Sequence, residues 1–430
     1  MASAAAESEH TPTWHNLLGS KDWQNLLDPL DLGLRTLILR CGDFCQATYD
    51  AFNNDKNSKY CGSSRYGKKD FFNKVMLEKA EDYEVVSFIY ATAQVSVPEA
   101  FLLHSMSRES WDRESNWIGY VAVTTDKASE VLGRREIYVA WRGTTRNYEW
   151  INVLGAKLTT VNSLLPATML KNKGFKTKVD HNGTSSTTSS SSEDEDDDER
   201  EPKVMQGWMT IYTSTNTNSP YAKTSARTQL VTIIKTLVEK HQGENLSITL
   251  TGHSLGASLS VLSAFDLVQN VVAPTIPVAA FIFGCPQVGN NAFKNRLTEF
   301  PNAKILHIRN TIDLIPHYPS RVLGYVYIGN ELLIDTRKSP SLKESKNPSD
   351  WHNLQAMLHV VAGWNGAEGK FEVRVKRSLA LVNKSSACLK DELLVPGSWW
   401  VEKNKGMVRE EDGEWGLAPP CDEDQPVPEF

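Results

Sequence analysis

Ser254 sits at the centre of Gly252-His253-Ser254-Leu255-Gly256, a pentad whose residue types and spacing suit nucleophilic catalysis. The residues before it, Asn245-Leu246-Ser247-Ile248-Thr249-Leu250-Thr251, alternate like a short strand. Those after it, Ala257-Ser258-Leu259-Ser260-Val261-Leu262-Ser263-Ala264-Phe265, read as a helix with a small-residue start. A serine on a sharp strand-to-helix turn stands clear of the sheet edge, and glycines at both two-residue offsets permit the tight backbone. The helix that follows points its positive end at the serine, where negative charge develops in acyl transfer. Gly-x-Ser-x-Gly alone is a weak signal; the strand before it and the helix after it give it meaning.

A serine hydroxyl needs a base to remove its proton, and the base needs a third group to orient it. In α/β hydrolases the acid and then the histidine follow the serine along the chain. The acid belongs in a loop just past a later strand. Asp313 fits, because the strand Lys304-Ile305-Leu306-His307-Ile308 runs into Arg309-Asn310-Thr311-Ile312-Asp313-Leu314-Ile315-Pro316. Asp335 and Asp350 are the fallback acids.

Beyond Asp313 stand His317, His352 and His359. His317 is too near in sequence to cross the sheet edge on its own. His352 and His359 lie two turns apart on one face of a helix expected over roughly 351–362, so periodicity does not choose between them. His352 is preferred as the base. It falls in the first turn after Pro348-Ser349-Asp350, where a side chain can reach a cleft. His359, between Leu358 and Val360, has the surroundings of a core residue and is the alternative base. His253 must point away from the serine and is expected to pack beneath the turn. The oxyanion hole needs two donors. The N–H of Leu255 supplies one, and Ala140-Trp141-Arg142-Gly143-Thr144-Thr145 offers the other through Thr144.

The elements that must position these groups alternate along the chain. Strands are expected at 85–90, 116–123, 137–141, 245–251, 276–283 and 304–308, with a β-rich stretch at 322–336. Helices are expected at 30–52, 145–158, 221–242, 290–300 and 351–362. Within residues 1–29, Trp14, Leu17, Leu18, Trp23, Leu26 and Leu27 have the spacing of a short amphipathic helix. Residues 53–80 read as a polar surface loop. This alternation predicts an α/β fold with a mostly parallel sheet covered by helices on both faces. The whole chain, 1–430, is expected to form a single domain with a helical N-terminal region (1–80). Ser/Thr-rich and acidic residues 182–202 form an insertion expected to be disordered, and 421–430 form an acidic tail.

Residues 193–201 carry eight acids and one arginine, and without them the formal net charge turns from −6 to +1. Bulk charge therefore predicts neither nucleic-acid nor strong anionic-membrane binding. No run approaches the roughly 18 apolar residues of a membrane span. The first residues lack a basic, then apolar, leader, which makes the cytosol the expected compartment. Six cysteines without a C-x-x-C pair speak against a disulfide scaffold or a zinc site. No metal or other cofactor is expected.

Trp-Arg-Gly-Thr at 141–144, the pentad at 252–256 and Phe283-Gly284-Cys285-Pro286-Gln287-Val288-Gly289-Asn290 resemble the class 3 lipases. Trp14 to Asp31, Gln46 to Phe52, Trp351 to His359, and Val395-Pro396-Gly397-Ser398-Trp399-Trp400 are similar to the plant cytosolic, or class II, phospholipases A1. The resemblance implies an α/β-hydrolase fold, a triad of Ser254, Asp313 and His352, and a soluble acylhydrolase that removes the sn-1 chain of phospholipids. It also implies a lid-like segment over 145–154; an ordinary core helix is the competing reading of those residues. The expected partner is a phospholipid at a membrane or micelle surface, met peripherally and transiently. A galactolipid or acylglycerol lipase, and a catalytically silent lipase-like scaffold, are the other readings of the same sequence.

Overall fold

Short apolar runs bounded by turns build the strands, and alternation along them decides which side chain faces which layer. The computed structural model describes residues 12–92, 115–144, 156–166, 201–219 and 221–418. Its strands are β1 (Tyr83–Thr92), β2 (Ser115–Thr124), β3 (Arg135–Trp141), β4 (Leu158–Thr160), β5 (Lys203–Met205), β6 (Leu246–His253), β7 (Val278–Phe283), β8 (Ala303–Asn310), β9 (Asn330–Ile334), β10 (Met407–Arg409) and β11 (Trp415–Leu417), the last two forming an antiparallel pair of their own. Seven of them form one sheet in the order β1-β2-β3-β6-β7-β8-β9. The β1–β2 and β2–β3 pairs are antiparallel, and every pair from β3 to β9 is parallel. β4 and β5 pair separately as an antiparallel ribbon.

The helices are α1 (Trp14–Leu17), α2 (Leu32–Asp50), α3 (Phe71–Lys74), α4 (Asp126–Leu132), α5 (Gln206–Thr213), α6 (Ala226–Lys240), α7 (Leu255–Asn270), α8 (Asn291–Thr298), α9 (Pro348–Trp351) and α10 (Leu354–Gly363). β7 shows how the two layers arise. Val278, Ala280 and Ile282 enter the core beneath α5, α6, α7 and α8, whereas Ala279, Phe281 and Phe283 enter the one beneath α2 and α10. A central parallel strand is covered on both faces, so both of its residue sets are apolar. In β6 the α2 side is instead hydroxylated, and Thr251 Oγ1 donates to the Cys41 carbonyl (3.0 Å), tying helix to strand. Cys41 and Cys45 are buried on that helix, as their spacing suggests.

Helix α2 is capped by Asp31, whose carboxylate accepts from Leu34 N (2.8 Å). The buried guanidinium of Arg35 reaches across to the carbonyls of Val361 and Trp364, closing the C-terminal end of α10. The two helices pack against each other where Gly42 meets Leu358. A Cβ on Gly42 would overlap the Leu358 side chain.

Several expectations require correction. Among the described residues 12–29, only Trp14–Leu17 is helical. Asp22, Trp23 and Asn25 adopt positive φ, and Trp23 is plugged under the sheet beside Phe281. The apolar spacing there marks a buried plug rather than a helix face. The segment 53–80 is no plain surface loop, because Phe71 and Phe72 on α3 are buried. Residues 156 and 157 are not helical, and β4 starts at Leu158. Within 322–336 the only strand is β9. Glu201 and Pro202, at the end of the supposed disordered insertion, are held in place. Asn290 Nδ2 donates to Glu201 O (2.8 Å), and Val161 N donates to Pro202 O (3.1 Å). The lid-like segment 145–154, the rest of the insertion (182–200) and the tail 421–430 lie outside the described residues.

Gly42→Val should lower the melting temperature by several degrees through overpacking, an expected loss of ~1–3 kcal/mol. Adding Leu358→Ala opens the same space, so the pair should be less destabilised than the sum of the two single variants. Thermal melts of all three variants check the coupling.

Candidate active site

The serine turn is a backbone feature first. Ser254 adopts φ 59° and ψ −127°, a conformation that side-chain-bearing residues rarely take, and α7 begins at the next residue. Ser254 N donates to Phe283 O (3.0 Å), pinning the turn to the end of β7. A Cβ on Gly252 would strike the Gly256 backbone, and one on Gly256 would strike the Trp141 carbonyl. Both glycines are therefore required by close backbone approach. Ser254 is buried, and its Oγ makes no hydrogen bond among the described residues.

The acid and the base arrive from later elements. Asp313 lies just past β8 and is fully buried. Its Oδ1 accepts from Ile315 N (3.0 Å), and its Oδ2 takes the hydrogen bond from His352 Nδ1 (2.6 Å). A carboxylate at that distance holds the proton on Nδ1 and leaves Nε2 as the basic nitrogen. Gly284, with φ 53°, clears the space for the pair. A Cβ there would come within 2.7 Å of His352 Cε1 and 3.1 Å of Asp313 Oδ2. Since Ser254 is bonded to the neighbouring Phe283, the end of β7 is where the three groups converge.

The expected helix over 351–362 is broken at this point. His352 is the C-cap of α9, and Asn353 caps the start of α10 by accepting from Ala356 N (2.9 Å). Two residues that share a face on an unbroken helix thus part company. Asn310 Nδ2 donates to Trp351 O (2.8 Å), drawing the segment with His352 toward β8. His359 instead bonds Ser339 Oγ through Nε2 (2.7 Å) and lies against Phe371. Asp335 is paired with Arg337, Asp350 with Ser345, and His317 with Tyr327.

On the other side of Ser254 stand the Leu255 N–H, at the first position of α7, and the loop from Arg142 to half-buried Thr144. An N–H there has no intrahelical acceptor and is available to a developing oxyanion. Arg142 is buried. Its Nε donates to Trp117 O (3.1 Å), its Nη1 to Gly143 O (2.9 Å), and its guanidinium covers the Phe52 ring at 3.7 Å. Burial lowers its pKa to about 10, which leaves it charged at neutral pH beside the loop.

Residue periodicity offered no signal for the supporting roles of Arg142, Gly284 and His307. Arg142 and Gly284 fall inside motifs that carry the family resemblance, whereas His307 reads only as a strand residue. Cys285 N donates to His307 Nε2 (2.9 Å), which fixes the turn after β7. Burial, with Arg309 as a secondary cause, pushes His307 down to about 3.

His359 is likewise held neutral, with burial first and then Arg377 lowering its pKa from 6.5 to about 4. Below pH 6.5 the unfolded chain binds a proton there that the folded chain refuses. Its contribution to stability is whole above pH 6.5 and is lost as pH falls toward about 4. His359→Gln should therefore flatten the decline in melting temperature across that window. Thermal melts at a series of pH values check this.

With this geometry in view, the family described as lipase (class 3) matches residues 138–323. Phospholipase A1-IIdelta of Arabidopsis thaliana is 60% identical over 420 residues, which cover 98% of this chain and 99% of that one. Phospholipase A1-II 5 of Oryza sativa subsp. indica is 48% identical, covering 96% of this chain and 84% of that one. Among solved structures, the Lip2 lipase of Yarrowia lipolytica is 19% identical with a TM-score of 0.42, covering 74% of this chain and 83% of that one. On the strength of identity that runs nearly end to end, the chain belongs to the class 3 lipases, within the plant class II phospholipases A1.

Proposed function

We propose that the chain hydrolyses the sn-1 acyl ester of phospholipids, releasing a fatty acid and a lysophospholipid. Ser254 is the nucleophile, His352 the base, Asp313 its orienting partner, and the N–H groups of Leu255 and Thr144 the oxyanion donors. The observation that carries the reading is the 2.6 Å contact of buried Asp313 with His352 at the end of β7, beside the Ser254 turn. His352 Nε2 takes the proton from Ser254 Oγ as the oxygen attacks the acyl carbonyl carbon. The carbonyl oxygen becomes an oxyanion held by the two N–H groups. Collapse breaks the ester C–O bond, and the same Nε2–H protonates the departing lysophospholipid oxygen. Water then enters and attacks the acyl carbon as Nε2 takes its proton; the acyl–Oγ bond breaks, Nε2–H returns the proton to Ser254 Oγ, and the fatty acid leaves. Every proton transfer is made by His352, and no step calls on a metal.

The substrate sits in an aggregate, so the protein meets it by docking on a surface. Among the described residues no helix is long and apolar enough to cross a membrane. The names of the relatives support the phospholipid class and the A1 position.

Ser254→Ala should cut turnover by about 10⁴-fold or more, because triad members act as a unit. His352→Ala should do the same, while His359→Ala retains turnover at equal folded concentration; the reverse pattern would reassign the base. Phospholipid vesicles labelled differently at sn-1 and sn-2 test the substrate. Release of the sn-1 label, unchanged by a chelator, is expected. Cleavage of a short soluble ester without any phospholipid cleavage overturns the lipid reading.

A further inference from the structure

Next to the nucleophile, His253 makes two hydrogen bonds that point away from Ser254. Nε2 is 2.8 Å from the backbone carbonyl of His352, and Nδ1 is 2.8 Å from the hydroxyl of Tyr49 on α2. The tautomer follows from the partners. A carbonyl only accepts, so Nε2 must carry the proton. Nδ1 is then a lone pair, and Tyr49 O–H donates to it. The imidazoles of His253 and His352 also lie against each other, with centroids 4.4 Å apart. Tyr49 has a second neighbour, since its hydroxyl oxygen lies where a Cβ on Gly143 would stand. One phenol therefore touches both the oxyanion loop and the histidine that grips the backbone of the base.

We propose that Tyr49 and His253 form a positioning strut for the reaction, in which Tyr49 O–H fixes the Nε2–H tautomer of His253 and that N–H holds the His352 backbone with its imidazole facing Ser254. The proposal rests on His352 being the base. His352 lies at the break between two helices, where its own N–H donates to Pro348 O (3.1 Å) as the C-cap of α9. The His253 N–H holds the carbonyl of the same residue, so both sides of the His352 peptide backbone are tied. The other tautomer of His253 would set a lone pair against that carbonyl and push the base away. Burial, reinforced by the neighbouring His352, lowers the pKa of His253 well below its ordinary value. It thus stays neutral while His352 takes up the serine proton. Both residues act through His352 and neither touches substrate, so they are positioning residues.

Three variants test the strut: Tyr49→Phe, His253→Leu and His253→Gln. Leu fills similar space without a donor, whereas Gln presents an N–H near the former Nε2. The assay is a short water-soluble p-nitrophenyl ester, with the labelling rate of Ser254 by a fluorophosphonate as a second readout. Neither depends on phospholipid recognition, so failure of the substrate reading leaves the test intact. Inactivity of His359→Ala with an active His352→Ala would mark failure of the base assignment instead. The expected result is a kcat lower by about tenfold in Tyr49→Phe and about 100-fold in His253→Leu, with KM held and labelling slowed in parallel. His253→Gln should recover at least half of the logarithmic loss. Wild-type kcat in Tyr49→Phe overturns the proposal, as do equal losses in the Gln and Leu variants or a change confined to KM. Should His253→Leu fail to fold, Tyr49→Phe decides alone, because it removes one oxygen and leaves the packed volume in place.

Discussion

Everything at the candidate site depends on three stretches of backbone being allowed to touch. Gly252 meets Gly256 across the Ser254 turn, and Gly256 meets the Trp141 carbonyl on the next strand. Only with side chains removed at both positions can β3, β6 and the start of α7 come this close. That approach forces φ 59° at Ser254 and sets the first N–H groups of α7 beside the Arg142–Thr144 loop. The strain is local, and the packed layers on both sides of the sheet sustain it.

Around that turn the protein keeps its imidazoles uncharged except where charge is needed. His253 and His307 are both buried and both hold backbone groups through their ring nitrogens; the lone pair that His307 offers Cys285 N excludes its imidazolium, and burial disfavours that of His253. His352 differs in having a fully buried carboxylate hydrogen-bonded to Nδ1 at 2.6 Å, whereas the carboxylate nearest His307 Nδ1, that of Glu331, lies 3.9 Å away. The charge of Arg142 sits beside the loop that carries the proposed oxyanion donor, Thr144. Positive charge beside that loop and a carboxylate-backed imidazole match the separation of charge in an acyl-transfer transition state.

Much of the fold could be read from the chain, because the informative strands are central and parallel. β7 is apolar on both faces, and β6 runs directly into the glycine-flanked serine. Asp313 and His352 were also readable, through chain order and loop position. The helical periodicity that links His352 with His359 was misleading, since Asn353 starts a new helix between them and the capping signal was overlooked. Trp23 misled for a different reason: apolar spacing reports burial, not the backbone that achieves it. The parts played by Tyr49, Arg142 and Gly284 depend on what lies opposite them in space, and no local pattern encodes that. His253 was placed beneath the turn by its neighbour alone, without its two partners.

The β4–β5 ribbon has a further consequence. It brings the chain on either side of residues 167–200 side by side, with Asn162 Nδ2 bonded to Glu201 Oε1 (3.1 Å). The ribbon thereby pairs Thr160 with Lys203 across that stretch. The entropy of closing a loop grows only with the logarithm of its length, each doubling adding about 0.6 kcal/mol. A change of length between the two ribbon strands therefore costs folding little, and this is a place to graft a guest module, whereas the turn at Ser254 admits no side chain at Gly252 or Gly256.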